Sequence, residues 1–505
     1  MPAEPQAPGR RAAGKLARTW DGLFTSRPGP DQVWVWLVVL AALYLGGLAA
    51  WGVFFHWGDF PYKFHDWAEV NMARLAFMRD AVMKGQLPLH MPDASALRGI
   101  TDRYLVLPDV ITAPQMIFMG LMSVTQFVFL DVLFLYTLGT AGLLWFKRKY
   151  ALSPASFTLL FLAFQFNGHI QAHLSVGHVT WLGYFLFPWL VALAIRLIEA
   201  PAGWRWTAGT AFLLFFMLLQ GSFHQFIWSL MFLGLVGLAA WRRFWAVLRA
   251  LLFAGLLSAV RLLPPALGMG SFNTDFLSGY PRPGDVLTAL LRIVPPAEAY
   301  ATRLQHHSLG WWELDLYLGL AGTLLVAVFG VGMWLWNQRR EKQYWQLLPA
   351  VVILALFSMW QVYKPVMSLP IPFLTAERVS SRMIILPFAV TAILAAVNLQ
   401  RWLDGPRAGF LLRLGLVALL AVFGWNLWQH LEVWQVARAA SGFPFADVNL
   451  AIKVVSNHPD PVYPRVAAAG AGLSALSGVF LLWMAYREQR RMIYIEDHHA
   501  PRPSV

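Results

Sequence analysis

Long apolar stretches separated by short polar segments dominate this sequence. A membrane-spanning helix needs about 20 consecutive apolar residues, and such stretches recur from residue 32 to residue 486. They predict about twelve transmembrane helices, within a range of ten to fourteen, near residues 32–55, 124–146, 154–169, 178–198, 206–220, 222–241, 246–266, 312–335, 345–361, 381–399, 408–428 and 466–486. The pattern therefore predicts an all-α polytopic integral membrane protein, in which the short segments 154–169 and 206–220 are tilted, broken or partly re-entrant.

The basic residues predict how this membrane domain, residues 32–486, is oriented across the membrane. Lys and Arg cluster at alternate ends of the predicted helices, on the same side as the basic tail of residues 1–31. The clusters are Lys147, Arg148 and Lys149; Arg205; Arg242, Arg243 and Arg249; Arg339, Arg340 and Lys342; Arg401 and Arg407; and Arg487, Arg490 and Arg491. Because short basic loops stay in the cytoplasm, we expect both tails, 1–31 and 487–505, to be cytoplasmic. The external loops are then 56–110, 267–311, 362–380 and 430–465.

The composition supports a membrane protein and excludes several other classes. The 505 residues are 58% hydrophobic and 13% charged, whereas soluble domains carry roughly 25% charged residues. The net charge of +13 is spread over short loops, as topology signals and contacts with anionic lipids require, so a nucleic-acid partner is not expected. The chain contains no cysteine, and it has no phosphate-binding loop, dinucleotide fingerprint or nucleophile elbow.

The first polar segment, from His56 to Asp109, is unusually rich in acidic residues. Ionised carboxylates beside a bilayer are costly to desolvate, so this segment indicates a water-accessible functional surface. Apolar residues recur within it at helical spacing, and Gly85 ends the run; they are Met72, Leu75, Met78 and Val82. We expect an interfacial helix here and a second short helix over residues 110–123.

Asp66 and Glu69, beside His65, are the candidate catalytic carboxylates. A positioned carboxylate near a pocket can act as a general base toward an acceptor hydroxyl, and His65 can bind the substrate beside it. The alternative is structural. Asp66 precedes the predicted helix and can cap its free N–H groups, and Glu69 lies in the first turn, where the helix dipole favours negative charge. The two roles are compatible, so the spacing leaves both open.

Charged residues at other external helix ends are candidate substrate-binding groups. Arg261, Arg378 and Arg382 can hold a phosphate bidentately, or they can reach lipid headgroups. Glu313 and Asp315, in the segment WWELDLYLGL, lie at the mouth of a predicted helix. These two acids can bind a divalent cation together with the first loop, or they can pair with the nearby arginines. Pairing is the interpretation favoured here.

Four histidines are predicted to lie on the external side, at His169, His173, His178 and His224. Zinc requires three or four converging ligands, and a His-x3-His pair lies on one helical face. The spacing is loose, however, and histidines among Gly and Gln residues often only form hydrogen bonds. No cofactor is therefore certain, and a divalent cation is the one that the pattern allows. His178 and His224 remain candidate substrate-binding residues.

Several of these motifs together resemble the GT-C superfamily of polytopic membrane glycosyltransferases, and most closely its YfhO-like bacterial branch. The resemblance extends over most of residues 32–430. It is carried by HDWAE and KGQLPLH in the first loop, FNGHIQAHLSVGHVTWLGYFLFPW, LLQGSFHQ, SAVRLLPPALGM, ELDLYLGLAGTLL and ERVSSRMIILPF. The sequence departs from the superfamily in one respect, because the adjacent acidic pair often found in the first loop is absent here.

The resemblance implies transfer of a sugar from a polyprenyl-phosphate-linked donor to a glycan, lipid or protein acceptor outside the bacterial cytoplasmic membrane. GT-C enzymes carry a key Asp or Glu in the first external loop, and Asp66 matches it best, followed by Glu69. Inversion at the anomeric carbon needs such a base, and it needs positive charge to stabilise the departing lipid phosphate. Membrane lipids, and protein partners in a membrane complex, are the other partners that this reading allows.

Two other functions stay open. The chain can be a non-catalytic scaffold subunit of a larger complex, in which the many Trp residues and the long loops form contact surfaces. It can also be a transporter or lipid flippase, which predicts charged or helix-breaking residues at mid-membrane depth in two related halves. The sequence shows few such charges and no duplicated halves, so glycosyl transfer is the favoured hypothesis.

Overall fold

The computed structural model describes residues 17–91, 102–268, 277–301, 309–342, 344–369, 377–406, 408–447, 450, 452–455 and 459–499. Arg407 and parts of the predicted external loops lie outside these residues. Helices make up 77% of the described residues, and the extended segments among them pair only as isolated β-bridges. This helical content confirms the general prediction of an all-α membrane protein.

The α-helices with both ends inside the described residues are numbered α1 to α20 along the chain. They are α1 Val33–Phe54, α2 Met72–Lys84, α3 Val124–Lys149, α4 Pro154–Gln165, α5 Gly168–Ser175, α6 Phe187–Glu199, α7 Trp204–Leu219, α8 Phe223–Ala239, α9 Phe244–Leu257, α10 Ala259–Ala266, α11 Pro283–Leu291, α12 Pro296–Ala301, α13 Gly319–Leu325, α14 Met333–Glu341, α15 Leu348–Phe357, α16 Trp360–Met367, α17 Ile385–Leu403, α18 Phe410–Val433, α19 Val436–Gly442 and α20 Val462–His499. Shorter 3-10 or π-helical turns extend several of them, including Trp67–Asn71, Val179–Leu186, Val326–Gly332 and Ser380–Ile384.

Seven helices in the described residues are long and apolar enough to cross a membrane. They are Pro30–Phe54, Val124–Lys149, Val179–Glu199, Gly319–Arg339, Ser380–Leu403, Phe410–Val433 and Val462–Arg491, and the pair α8 and α9, bent by 115°, raises the number to eight if it forms one span. Each of the twelve predicted segments coincides with a helix, but the count of twelve spans is not confirmed. The main reason is length: α4 has 12 residues, and the prediction for 154–169 merged it with the separate helix α5.

Several of the basic residues lie together at one end of the helix bundle. Contacts between different helices establish this: Lys147 lies 3.5 Å from the ring centre of Trp36, and Lys149 pairs with Glu199. At the same end Arg401 pairs with Glu341 and Arg413 pairs with Asp21. We call this the basic end. The opposite end, the loop end, carries the acidic first loop and the ends of α1 and α18.

The first loop folds against the loop end of the bundle. A π-helical turn, Trp67–Asn71, leads into α2, and Gly85 ends the helix with a φ of 60°, so the predicted helix and its stop signal are confirmed. The predicted second short helix is the 3-10 segment Pro114–Leu121. The apolar side chains of α2 are buried among other protein residues; Met72, Leu75 and Phe77 are almost inaccessible to solvent. This helix therefore belongs to the protein core.

Candidate functional site

Asp66 is hydrogen-bonded to His178 at the loop end. Its Oδ2 atom lies 2.9 Å from Nε2 of His178, and 19% of the Asp66 side chain is exposed, against 7% for the histidine. The Asp66 side chain makes no capping hydrogen bond to the helix that follows it. The expected helix cap is therefore wrong, because the carboxylate is turned toward a partner from a distant part of the chain. A half-buried carboxylate that keeps access to water can exchange protons with a substrate.

A tight turn after α5 brings His178 to this position. Gly177 has a φ of 101°, and a Cβ atom there would lie 2.4 Å from the backbone nitrogen of Trp67. Asn71 donates from Nδ2 to the Gly177 carbonyl at 2.6 Å, and Trp67 donates from Nε1 to the Ser175 carbonyl at 2.8 Å. These contacts fasten the turn to the start of the first-loop helix, so they fix the spacing of the Asp66–His178 pair.

A second histidine lies directly behind His178. The Nδ1 atoms of His173 and His178 are 2.6 Å apart, so one of them carries the shared proton. When Asp66 is ionised it accepts from Nε2 of His178, and a neutral His178 then accepts at Nδ1 from His173. Nε2 of His173 faces Oε2 of Glu313 at 3.9 Å and makes no hydrogen bond within the described residues. Burial lowers the pKa of His173 well below its ordinary value.

This arrangement can accept one further proton. If His178 becomes protonated, both of its nitrogens donate, and Nδ1 of His173 must become the acceptor. His173 then carries its own proton on Nε2. His173 stays neutral in this arrangement, and its Nε2–H is directed at the Glu313 carboxylate.

Glu313 and Arg382 form a bidentate ion pair beside the histidines. Nε and Nη2 of Arg382 lie 2.6 and 2.5 Å from the two carboxylate oxygens of Glu313, and the guanidinium lies 4.6 Å from the ring centre of Trp181. Burial by itself raises the pKa of Glu313, but the charge of Arg382 and its hydrogen bonds lower it below the ordinary value. The predicted pairing of Glu313 with an arginine is thus observed. The Arg382 side chain is 11% exposed, and its guanidinium is engaged by Glu313.

Trp181 also orients the buried His169. Its indole Nε1 donates to Nε2 of His169 at 3.0 Å, so this nitrogen of His169 carries a lone pair and no proton. Burial lowers the pKa of His169 to about 3. His169 is therefore neutral at physiological pH and serves as a hydrogen-bond acceptor within the network.

Two further buried acids at the loop end are each held by a histidine. Glu377 accepts at Oε2 from Nδ1 of His224 and from Nε1 of Trp228, both at 2.9 Å. Burial raises the pKa of Glu377, but the positive field of His224 and the hydrogen bonds lower it overall. Asp315 pairs through Oδ2 with Nε2 of His430 at 3.0 Å. The expected arginine partner of Asp315 is therefore replaced by a histidine.

Sequence reasoning did not single out Glu377 or His430 as site residues. Glu377 directly precedes Arg378 in TAERVSSR, and this spacing resembles an ordinary surface charge pair. His430 occupies the last turn of α18, where a histidine is favoured by the helix dipole alone. Its Nδ1 atom lies 2.6 Å from the amide oxygen of Gln171. A buried glutamine in the same segment as three histidines is the one signal that could have indicated this contact.

His65 is held in a strained backbone conformation next to Asp66. Its φ is 43°, a region that non-glycine residues rarely adopt. Nδ1 lies 3.2 Å from the Val176 carbonyl and 4.0 Å from Oδ1 of Asp66, and the ring packs against Trp312 with centroids 4.7 Å apart. Burial lowers the pKa of His65, although the charge of Asp66 opposes this effect. Strain of this kind persists where the surrounding structure holds the residue in place.

The remaining predicted site residues lie outside this network. Glu69 is exposed. Arg261 is 1% exposed, and its Nη2 donates to first-loop carbonyls, including that of Leu107 at 2.9 Å. Burial lowers the pKa of Arg261 to about 10. Both expectations for Arg261, phosphate binding and lipid contact, are corrected, because its guanidinium is used to hold the first loop. Arg378 is partly exposed, and its carbonyl accepts from the backbone of Ser278.

Two sets of side chains in the described residues have the spacing of a metal site. They are His65, Asp66 and His178, and His173, His178 and Glu313. Imidazole and carboxylate ligands suit zinc and similar divalent cations. The second set is a poor site, because Arg382 already neutralises both oxygens of Glu313. His169 and His224, which the sequence also offered, are engaged by Trp181 and Glu377.

Comparison with known proteins found no relative of this chain. Neither a protein-family model, nor a curated protein, nor a solved structure matches the chain. The network itself places a partly exposed carboxylate, Asp66, in front of the buried His178 and His173 and the Glu313–Arg382 pair.

Proposed function

We propose that this protein is a membrane glycosyltransferase that moves a sugar from a polyprenyl-phosphate-linked donor to an acceptor at the loop end. One observation carries the proposal: the partly exposed Asp66 is hydrogen-bonded to His178, and the buried His173 lies directly behind it. A carboxylate in this setting has what a general base requires, namely access to a substrate and a fixed orientation. The seven or eight spanning helices supply the lipid surface from which a lipid-linked donor approaches.

The proposed reaction is a single displacement at the anomeric carbon. The acceptor hydroxyl oxygen forms a bond to this carbon while the bond between the carbon and the phosphate oxygen of the donor breaks. The proton of the hydroxyl passes to Asp66, and polyprenyl phosphate leaves with the bonding electron pair. His178 orients Asp66 through the contact between its Nε2 atom and Oδ2 of the carboxylate.

The leaving phosphate needs positive charge close to the reaction centre. Arg382 and Arg261 are poor candidates, since Glu313 and the first-loop carbonyls occupy their guanidinium groups. We propose that Arg378 supplies this charge, because it is partly exposed and directly follows the buried Glu377 in the chain. A guanidinium at that position can bind a phosphate bidentately.

The proposed location is the bacterial cytoplasmic membrane, with the loop end outside. Several of the basic residues share one end of the bundle, and short basic loops are retained in the cytoplasm. Both chain termini are then cytoplasmic, and the acidic first loop faces the external compartment, where a lipid-linked donor and a polar acceptor can meet.

A reconstituted transfer assay tests the proposal. The purified chain in lipid vesicles is supplied with radiolabelled polyprenyl-phosphate sugars and with a membrane extract as the source of acceptors. We expect release of polyprenyl phosphate in step with labelling of an acceptor, and loss of both in His178→Asn. Failure of the wild-type protein to release polyprenyl phosphate from any donor would refute transfer and favour the scaffold function.

One observation favours a second candidate, a proton-coupled transporter. Asp131 lies inside the spanning helix α3, is 3% exposed, and accepts from Nε2 of Gln115 at 2.8 Å. Ionisable residues within a membrane span often mark ion or proton pathways. This candidate predicts that Asp131→Asn abolishes substrate flux across vesicles, whereas Asp66→Asn leaves the flux unchanged.

A further inference from the structure

A pocket of about 360 Å³ lies between two loops at the loop end, next to the Asp66 network. Four aromatic side chains and one cation line it: Tyr62, Phe64, Phe443, Phe445 and Lys63. Its volume falls in the range of small-molecule sites, which runs from about 300 to 1,000 Å³. None of these five residues takes part in the network described above.

The two loops are fixed to each other, so the pocket is preformed. Phe64 and Phe445 form an antiparallel β-bridge, and the backbone nitrogen of Ala446 donates to the Lys63 carbonyl at 2.9 Å. Phe445 remains 72% exposed in this position, whereas Phe64 and Phe443 are buried. An exposed aromatic ring that the backbone holds over a concave surface is available to stack on a ligand.

An aromatic wall lies between the pocket and the candidate base. The ring of Phe443 lies 5.2 Å from the ring of His65 and 5.4 Å from that of Trp312. His65 in turn lies 4.0 Å from Oδ1 of Asp66. The rings of Phe443 and His65 therefore separate the pocket from Asp66, which lies on the other side of this wall.

The position of the pocket indicates a polar occupant. Both loops follow the loop-end termini of spanning helices, Phe54 of α1 and Val433 of α18, so the pocket lies beyond the apolar spans. Lys63 is exposed beside it, with Nζ 5.6 Å from the ring centre of Phe445. A ligand that matches these features has an apolar face that packs on the aromatic rings. It also has hydroxyl or acidic groups that accept hydrogen bonds from the Lys63 ammonium group.

We infer that this pocket binds a sugar ring of the acceptor, so that the acceptor is a glycan. The C–H face of a pyranose stacks on Phe445, and its hydroxyl or carboxylate groups reach Lys63 and Tyr62. The role as an acceptor site rests on the proposed function. Sugar binding as such does not depend on it.

The test measures sugar binding separately from transfer. The full chain in lipid nanodiscs is titrated with methyl β-glucoside, methyl β-N-acetylglucosaminide and methyl β-glucuronide, with detection by saturation-transfer NMR. Phe445→Ala removes only an exposed ring and should weaken binding about tenfold, because one stacked ring contributes roughly 1.4 kcal/mol, which corresponds to that factor. Leu87→Ala, at a residue of the first loop that is 75% exposed, is the matched control and should leave binding unchanged.

The outcomes separate this inference from the proposed function. Binding that is weaker in Phe445→Ala than in Leu87→Ala supports the sugar pocket, even if no transfer is ever observed. Binding by none of the three glycosides, or equal binding in both variants, overturns it. Saturation transfer to lipid acyl chains that Phe445→Ala abolishes would identify lipid as the occupant and also overturn it. Where transfer is active, Phe445→Ala should raise the acceptor KM and leave the donor KM unchanged.

Discussion

Nε2 of His178 lies 2.9 Å from Oδ2 of Asp66, although the two residues belong to separate segments of the chain. The contact joins the acidic first loop to the histidine-rich turn after α5. It explains why Asp66 does not cap its helix, since its carboxylate is oriented away from the free N–H groups.

The turn that carries His178 should tolerate no side chain at Gly177. Its φ of 101° is unfavourable for other residues, and a Cβ atom would lie 2.4 Å from the nitrogen of Trp67. We expect Gly177→Ala to destabilise the protein by about 1–3 kcal/mol and to separate His178 from Asp66. Gly415→Ala is the matched control, because a Cβ atom there has nothing within 4 Å and the residue lies inside a helix. Thermal unfolding in detergent measures both; equal melting temperatures would contradict the assigned turn.

Removing one partner of the Glu313–Arg382 pair should be costly. A buried charge left without its partner costs about 3–5 kcal/mol, so we expect Arg382→Leu to destabilise strongly. The double variant Glu313→Leu, Arg382→Leu should be more stable than Arg382→Leu alone, since no uncompensated charge remains. Arg438, whose pair with Glu432 is exposed, provides the control, and Arg438→Leu should change little. A double variant no more stable than the single one would show that the pair is not isolated from water.

Buried neutral histidines should make the protein acid-sensitive. Burial lowers the pKa of His169 to about 3 from an ordinary value of 6.5. Between these values the unfolded chain binds a proton that the folded chain does not, so stability is full above pH 6.5 and falls as the pH falls. The loss from His169 by pH 4.5 is about 2–3 kcal/mol.

His169→Gln tests this acid sensitivity, because glutamine can still accept from Trp181 but does not titrate. We expect the variant to lose less stability than the wild-type protein between pH 7.5 and pH 4.5, as measured by chemical unfolding at each pH. An unchanged dependence on pH would mean that His169 is protonated in the folded state.

The two ends of the bundle should face opposite sides of the membrane. Lys149 belongs to the basic end, and Tyr300 packs at the loop end, with its ring 5.2 Å from that of Phe443. Reporter fusions placed after Lys149 and after Tyr300 should report the cytoplasm and the external compartment respectively. Reporters on the same side for both fusions would refute the proposed topology.

Much of the helical architecture could be predicted from the sequence, because apolar length and spacing are local properties. Each predicted membrane segment coincides with a helix, and the stop at Gly85 follows from its left-handed φ. The number of spans could not be predicted, since hydropathy does not distinguish a 12-residue buried helix such as α4 from part of a longer one.

The candidate site could be predicted only in part. The sequence indicated Asp66, and it indicated that Glu313 pairs with an arginine, because both lie in short conspicuous segments. It could not indicate that His178 is the partner of Asp66, or that Asp315 meets His430. These contacts depend on how distant helices pack, and no local pattern encodes that packing.

The rate of sugar transfer by Asp66→Asn tests the central claim most directly. Asparagine keeps the size of the side chain and can still accept from His178, but it cannot take a proton, so we expect a loss of about 100-fold or more with a normal melting temperature. Asp59→Asn, which removes an exposed acid from the same loop, should transfer at the wild-type rate. Wild-type transfer by Asp66→Asn would contradict the account, and a loss found only in Glu69→Gln would move the role of base to Glu69.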